Sequence, residues 1–330
     1  MLFFNTLIFG TLVTISSYSW MSMWMGLEIN LLSLIPLLKD KNNIYPSEAA
    51  LKYFIVQALA SSIFLFSIIM NLNLMEFIPQ NSYYFMIMMN SALFIKMGAA
   101  PFHAWFPEVM EGFNWLNCLL LLTWQKIAPM ILLMYNMKMT LFMSFIIIYS
   151  TLISGISGFN QVSLRKIMAY SSINHISWMI SSMLNFQIIW LIYFIIYSII
   201  SVNIILIFQY LNIFYLKQLF SSLNNNKIFK FFFILNFMSL GGLPPFLGFF
   251  PKWLTVNNLI NNNFLVISFF LIIFTLITLY FYLRISFSTL VINTNETILL
   301  TKNTNYFIMI FTNFISLIGL LACSLTFNFY

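Results

Sequence analysis

Residues 92–108 read ALFIKMGAAPFHAWFPE, and residues 241–252 read GGLPPFLGFFPK. In the first stretch an apolar helix carrying Lys96 runs into Gly98, Ala99, Ala100 and Pro101 and must stop. Glycine and proline break the helical hydrogen-bond ladder, and broken backbone is tolerated at bilayer depth only where protein buries it or it lines a cavity. The second stretch repeats the event: Pro101, Phe102, Phe106 and Pro107 line up with Pro245, Phe246, Phe250 and Pro251. Paired broken helices in corresponding positions point to a transport path.

The surrounding chain fits a membrane setting. Of its 330 residues, 62% are hydrophobic and 6% charged, so nearly every window of span length is apolar enough to cross a bilayer. Soluble classes are excluded, and the short alternating segments of a β-barrel are absent. The sequence is expected to form an all-α polytopic membrane protein with eleven transmembrane helices. Their expected positions are 2–19, 22–38, 49–70, 82–100, 115–136, 139–158, 166–183, 187–212, 229–256, 264–287 and 305–327. The breaks fall in spans four and nine, each fourth in a block of five. A block with an odd number of spans must be inverted across the membrane. The expected organisation is therefore one membrane domain, 1–330, built of a first inverted repeat (1–137), a second (138–290) and a terminal helix (291–330).

Basic residues give the orientation. Ten of them, from Lys39 to Lys302, fall in loops on the side of the N-terminus, against Lys138 alone on the other. The positive-inside rule then puts the N-terminus in the cytoplasm or matrix and Tyr330 on the far side. The net charge of +7 is accounted for by this loop distribution and is no sign of a nucleic-acid partner. No basic residue precedes Lys39, so no cleaved presequence is expected. Cys118 and Cys323 are isolated thiols without disulfide or metal spacing. Glycine-rich nucleotide loops, Cys-x-x-Cys and haem-type histidine pairs are missing. The bias toward Phe, Met, Ile and Asn fits an AT-rich genome such as a mitochondrial one.

Four charges remain inside or beside apolar spans: Glu28, Lys96, Lys126 and Lys252. A charge at bilayer depth costs roughly 2.5–3.5 kcal/mol on insertion scales and usually marks an ion or proton path. Lysine in a low-dielectric site gives up its proton more readily than in water, and an opposite charge nearby restores the charged form. A glutamate–lysine contact that opens and closes can thus switch a proton. Lys96 sits where a half-helix end leaves carbonyls open to an ammonium or a water. The competing readings are structural: Lys252 snorkelling at a helix end, and Glu28 at an interface rather than at depth. His175 is read equally as a relay imidazole, beside Ser171, Ser172 and Asn174, or as a structural hydrogen-bonder. His103, Glu108 and Glu111 are read as solvated or capping groups.

The run 92–109 resembles the signature of the antiporter-like subunits of respiratory complex I. So do Trp124 to Pro129 (WQKIAP), Leu164 to His175 (LRKIMAYSSINH) and Gly241 to Trp253. The motifs resemble animal mitochondrial members most, those of insects in particular, and the likeness spans essentially the whole chain. Relatives outside animals usually carry three further N-terminal helices, which this chain is expected to lack. The resemblance implies two inverted five-helix bundles plus one helix. It also implies an ion pair of Glu28 with Lys96, a central relay at Lys126, a terminal group at Lys252, and His175 in the relay. The implied function is proton translocation coupled to NADH:ubiquinone electron transfer, as a subunit of an H+-translocating reductase. FMN, iron–sulfur clusters and ubiquinone would then sit in other subunits, with none bound by this chain. The implied partners are neighbouring membrane-arm subunits and the lipid bilayer. The implied place is the mitochondrial inner membrane, N-terminus in the matrix and C-terminus in the intermembrane space. Two alternatives stay open on the sequence: a cation/proton antiporter subunit, and a structural membrane subunit whose charges only hold helices together.

Overall fold

The computed structural model describes residues 2–39, 44–74, 82–225, 227–291, 311 and 313–314. The chain is an all-α membrane protein. Helices account for the described secondary structure apart from one antiparallel bridge, Ser163 to Tyr215. Among the described residues, six segments are long and apolar enough alone to cross a bilayer, including Thr140–Phe159, Gln187–Leu211 and Leu265–Val291. The expected terminal helix, 305–327, lies outside the described residues except at 311 and 313–314, as do Lys41, Lys302 and Cys323.

The chain divides into two compact units, Met1–Tyr149 and Ser150–Tyr330. The first unit contains α1 (Leu2–Ser16), α2 (Trp20–Leu38), α3 (Tyr45–Leu74) and α4 (Ser82–Met97), then the shorter α5 (Trp105–Gly112), α6 (Trp115–Leu122) and α7 (Trp124–Tyr135). Ser19 starts α2 as an N-cap, its hydroxyl accepting from the Ser22 amide at 3.3 Å. The α1–α2 hairpin is closed by glycines. A Cβ on Gly26 would fall 2.6 Å from the Thr14 methyl, and one on Gly10 would fall 2.9 Å from the Asn30 amide nitrogen. Small residues let backbones approach this closely where lipid gives helices no hydrophobic reason to associate.

After α8 (Thr140–Phe159), which carries the division between units, come α9 (Leu164–Met183), α10 (Gln187–Leu211), α11 (Leu216–Asn225), α12 (Lys227–Gly241), α13 (Phe249–Asn261) and α14 (Leu265–Val291). In the second unit α9 is buried on nearly every face, although it carries Ser171, Ser172, Asn174, His175, Ser177, Ser181 and Ser182. Its serine hydroxyls bond back to carbonyls three residues earlier, for example Ser171 to Met168 at 2.7 Å. This satisfies each hydroxyl locally. A helix this polar is poorly matched to lipid, and packing by α10, α13 and α14 keeps it inside the unit.

Two features go beyond the sequence reading. The expected fifth span is divided at Thr123, whose backbone (φ −114°, ψ −71°) ends α6 before α7 begins. Its hydroxyl donates to the Leu119 carbonyl at 2.7 Å. Residues read as a connection to the ninth span include α11, which buries Leu219, Ser222 and Leu223 at helical spacing. Gln218 Oε1 accepts from the Phe214 and Tyr215 amides and caps its start.

Replacing Gly26 with Val would drive a branched side chain into Thr14, at a cost of about 1–3 kcal/mol. The expected outcome is a clear drop in folded protein recovered from membranes. Gly155→Ala, where the nearest atoms lie an ordinary 3.4 Å away, is expected to leave recovery unchanged.

Candidate functional site

Each unit has a helix that stops, and the two stops are built alike. Gly98 (φ 73°) and Gly242 (φ 75°) take the left-handed conformation that ends a helix. The Gly98 and Ala99 amides both donate to the Phe94 carbonyl, at 2.9 and 3.1 Å, as the Gly242 and Leu243 amides do to Met238, at 3.2 and 3.4 Å. A further turn follows each stop, Phe102 to Ala99 in the first and Phe246 to Leu243 in the second. The sequence match of the two breaks is therefore also a match of backbone geometry.

A stopped helix leaves its last carbonyls without amide partners. At the first stop Gln57 Nε2 donates to the Lys96 carbonyl at 3.1 Å, and Trp105 Nε1 donates to Ile95 at 3.1 Å. At the second the donor is charged: Lys252 Nζ lies 2.9 Å from the Gly241 carbonyl and 3.3 Å from that of Leu240. The carbonyl-held ammonium expected of Lys96 is thus found at Lys252. Positions 96 and 240 correspond in the repeat, and the carbonyls there are satisfied by an amide in one unit and an ammonium in the other. Gly242 makes the room, since a Cβ there would fall 2.8 Å from Lys252 Cδ and 2.9 Å from its Nζ.

All three candidate lysines are deeply buried: Lys126 is 1% exposed, and Lys96 and Lys252 are each 7% exposed. Lys126 points its ammonium at the Phe106 ring, 5.9 Å from the centroid, and Lys252 faces Trp178 at 5.7 Å. Aromatic faces stabilise cations where water is scarce. Glu28 is half-buried on α2. It forms no salt bridge with Lys96 among the described residues. Glu108 instead pairs with Lys52 at 3.4 Å on an exposed face, where Lys52 also meets Glu48. His103 is partly exposed, with Nδ1 at 3.3 Å from the Pro101 carbonyl.

His175 is 4% exposed, and its Nδ1 lies 2.9 Å from the Tyr193 hydroxyl. Tyr197, one turn further along α10, lies against the imidazole with 5.0 Å between ring centroids. Trp178, which faces Lys252, sits one turn after His175 on α9.

The sequence reading missed the neutral polar residues of the first unit. Gln125 Nε2 donates to Asn30 Oδ1 at 2.9 Å, and the Tyr53 hydroxyl donates to Gln125 Oε1 at 3.4 Å. With Gln57 and Lys96 they line one small cavity. Amides carry no charge, so these residues do not stand out among the charges of apolar spans. Their signal was polarity within apolar spans, and for Gln125 its place beside Lys126.

Residues 17–278 match the model of the transmembrane family described as NADH:quinone oxidoreductase/Mrp antiporter. NADH-ubiquinone oxidoreductase chain 2 of Anopheles gambiae is 50% identical, over 98% of this chain and 96% of the relative. The chain 2 of Locusta migratoria is 44% identical, over 100% of this chain and 96% of the relative. Among solved structures, a chain of respiratory complex I from Thermus thermophilus with bound aureothin superposes with a TM-score of 0.86 at 20% identity. That match covers 97% of this chain and 78% of the other and establishes a shared fold.

Gly242→Ala places a methyl on the Lys252 side chain and forces a left-handed backbone on alanine, together costing about 1–3 kcal/mol. A lowered thermal midpoint is expected. Gly241→Ala, whose nearest neighbours stand off at 3.7 Å, is expected to leave the midpoint within a degree or so of the parent.

Proposed function

Because the chain belongs to the NADH:quinone oxidoreductase/Mrp antiporter family of membrane subunits, we infer that it works as a proton-translocating membrane-arm subunit of respiratory complex I, the H+-translocating NADH:ubiquinone reductase. The observation that carries this reading is the burial of Lys96, Lys126 and Lys252 to 7% exposure or less in apolar helices, two of them next to a broken helix. A lysine held out of water loses much of its preference for the charged form, so proton loss and gain become accessible steps. Near-complete insect relatives named as chain 2 of the NADH-ubiquinone enzyme support a place in the mitochondrial respiratory chain, among other subunits of that complex.

Within that function, roles follow from position. Lys96 is the switch lysine, biased by Glu28. Lys126 is the central carrier, with the Phe106 ring stabilising its charged form. Lys252 is the carrier at the second break, where the open carbonyl end of α12 favours its ammonium. His175, bonded to Tyr193, exchanges protons on α9. Electrons are carried elsewhere in the complex, and the redox centres belong to partner subunits.

The matched breaks support two inverted five-span repeats, 1–137 and 138–290, followed by a terminal helix, 291–330, as the eleventh span. The distribution of basic residues supports an N-terminus in the matrix and Tyr330 in the intermembrane space. Protease added outside intact mitoplasts is then expected to leave the Lys39–Ser47 loop, which faces the matrix, uncut. Cleavage there would reverse the orientation.

Lys126→Met keeps the apolar stem and removes the proton-carrying amine. Assembly of the complex is expected to survive while proton pumping and the coupled quinone reductase activity fall about tenfold or more, the scale of removing a positioned proton-transfer group. Normal pumping in the assembled variant would end the relay role; loss of assembly would favour a structural one.

Glu28→Gln keeps shape and removes the charge acting on Lys96. Without it the uncharged form of Lys96 is favoured. Turnover measured as NADH:quinone activity in sealed membranes is expected to fall several-fold although no quinone-binding group is altered. Full coupled turnover would remove Glu28 from the mechanism.

A further inference from the structure

Asn236 is an amide on α12, the helix that runs into the second stop, and it is 2% exposed. Nothing in the matched breaks calls for it. Asn236 stands six residues before Gly242, and at the same spacing before Gly98 the first unit has Ala92, which is fully buried. The amide therefore belongs to the second stop alone. Its partner lies beyond both breaks: Asn236 Nδ2 donates to Asn313 Oδ1 at 2.6 Å, and Asn313 is 1% exposed. Asn313 falls in the segment expected to form the terminal helix, where Phe311 and Phe314 are exposed.

Two amides in an apolar setting are costly unless they meet, since each unpaired polar group is penalised there. What the pair supplies is register. Apolar faces can slide past one another in lipid with little change in energy, whereas a slip of one residue would part the amides and leave both unsatisfied. A single buried asparagine fixes register in coiled coils by the same logic. Register matters here because of what lies on the next turn. The Asn236 carbonyl accepts from the Ser239 hydroxyl at 2.7 Å. A Cβ on Gly248 would overlap the Ser239 carbonyl oxygen, so the chain leaving the stop closes directly onto α12. The next two carbonyls, of Leu240 and Gly241, are those that hold Lys252 Nζ. Asn236 thus lies about one helical turn from the acceptors of the buried ammonium.

We propose that Asn236 and Asn313 are positioning residues for the Lys252 site: through this amide pair the segment after α14 holds α12 at the height where its last carbonyls meet the ammonium. The proposal rests on the reading of Lys252 as a proton carrier. Neither amide exchanges a proton, and both act through the carbonyl end of α12.

The test uses the assembled complex, with coupled turnover and proton pumping read beside the thermal midpoint. Asn313→Leu leaves Asn236 buried and unpaired. A midpoint lowered by a few degrees and turnover lowered about tenfold are expected. Replacing both partners, Asn236→Leu with Asn313→Leu, leaves neither amide in place and is expected to restore the midpoint while turnover stays low. Turnover that recovers together with the midpoint would overturn the proposal and leave the pair a purely structural contact. Parental turnover in Asn313→Leu would overturn it as well. If the single variant does not assemble, the double variant decides by the same readout. If neither assembles, a density map of the parent complex decides: the two amides bonded, with Lys252 on both carbonyls, supports the proposal, and amides beyond hydrogen-bonding distance overturn it. Lys252→Met, measured alongside, separates the two levels. Normal pumping there would remove the carrier reading itself, whereas lost pumping there with parental turnover in the double variant would remove only the positioning role.

Discussion

A helix that ends inside a bilayer exposes carbonyl oxygens where no bulk water can reach them, and each must find a donor within the protein. That requirement organises the breaks at Gly98 and Gly242. At each, the left-handed glycine folds two amides back onto one carbonyl, which settles the first of the open oxygens. The rest recruit side chains: Gln57 and Trp105 at the first stop, Lys252 at the second. These side-chain donors offset the cost of breaking the helix, and at the second stop the donor, Lys252, is also one of the lysines proposed above to carry protons.

The three buried lysines are settled in different ways, and the differences suit different tasks. Lys252 sits on two carbonyls at the negative end of a helix, an arrangement that favours the ammonium. Lys126 has an aromatic face nearby, which supports charge more weakly. Lys96 has a small cavity beside it. An interaction through space changes with small movements of either group, whereas a direct buried ion pair would be held much more firmly. Glu28 and Lys96 form no salt bridge among the described residues, which is compatible with the opening and closing contact expected from sequence.

Much of this is legible in the amino-acid sequence because lipid imposes coarse rules. Apolar length marks the segments, and the Gly–Pro clusters mark the stops at 98–101 and 241–245. The charges at Lys96, Lys126 and Lys252 stand out against a chain that is 6% charged. What escapes depends on finer balances. Thr123 ends a helix through its backbone angles, without glycine or proline to announce it. The α11 helix is short and amphipathic, so a filter for long apolar runs passes over it. Asn30, Gln57 and Gln125 are polar but neutral, and their meeting with Tyr53 around Lys96 is a property of three-dimensional packing. The serines of α9 look capable of ordering water, yet most bond to their own helix; the partner of His175 comes from α10 instead.

The central claim is that a buried amine gives up and regains a proton during turnover, beyond holding a positive charge in place. Arginine separates these roles, because a guanidinium keeps its charge and does not deprotonate in proteins. The decisive measurement is the number of protons pumped per NADH oxidised by the assembled complex carrying Lys126→Arg. A relay through Lys126 predicts an assembled enzyme whose proton count and coupled turnover both drop sharply. An undiminished proton count at parental turnover would contradict it and leave the buried charge with a purely structural task.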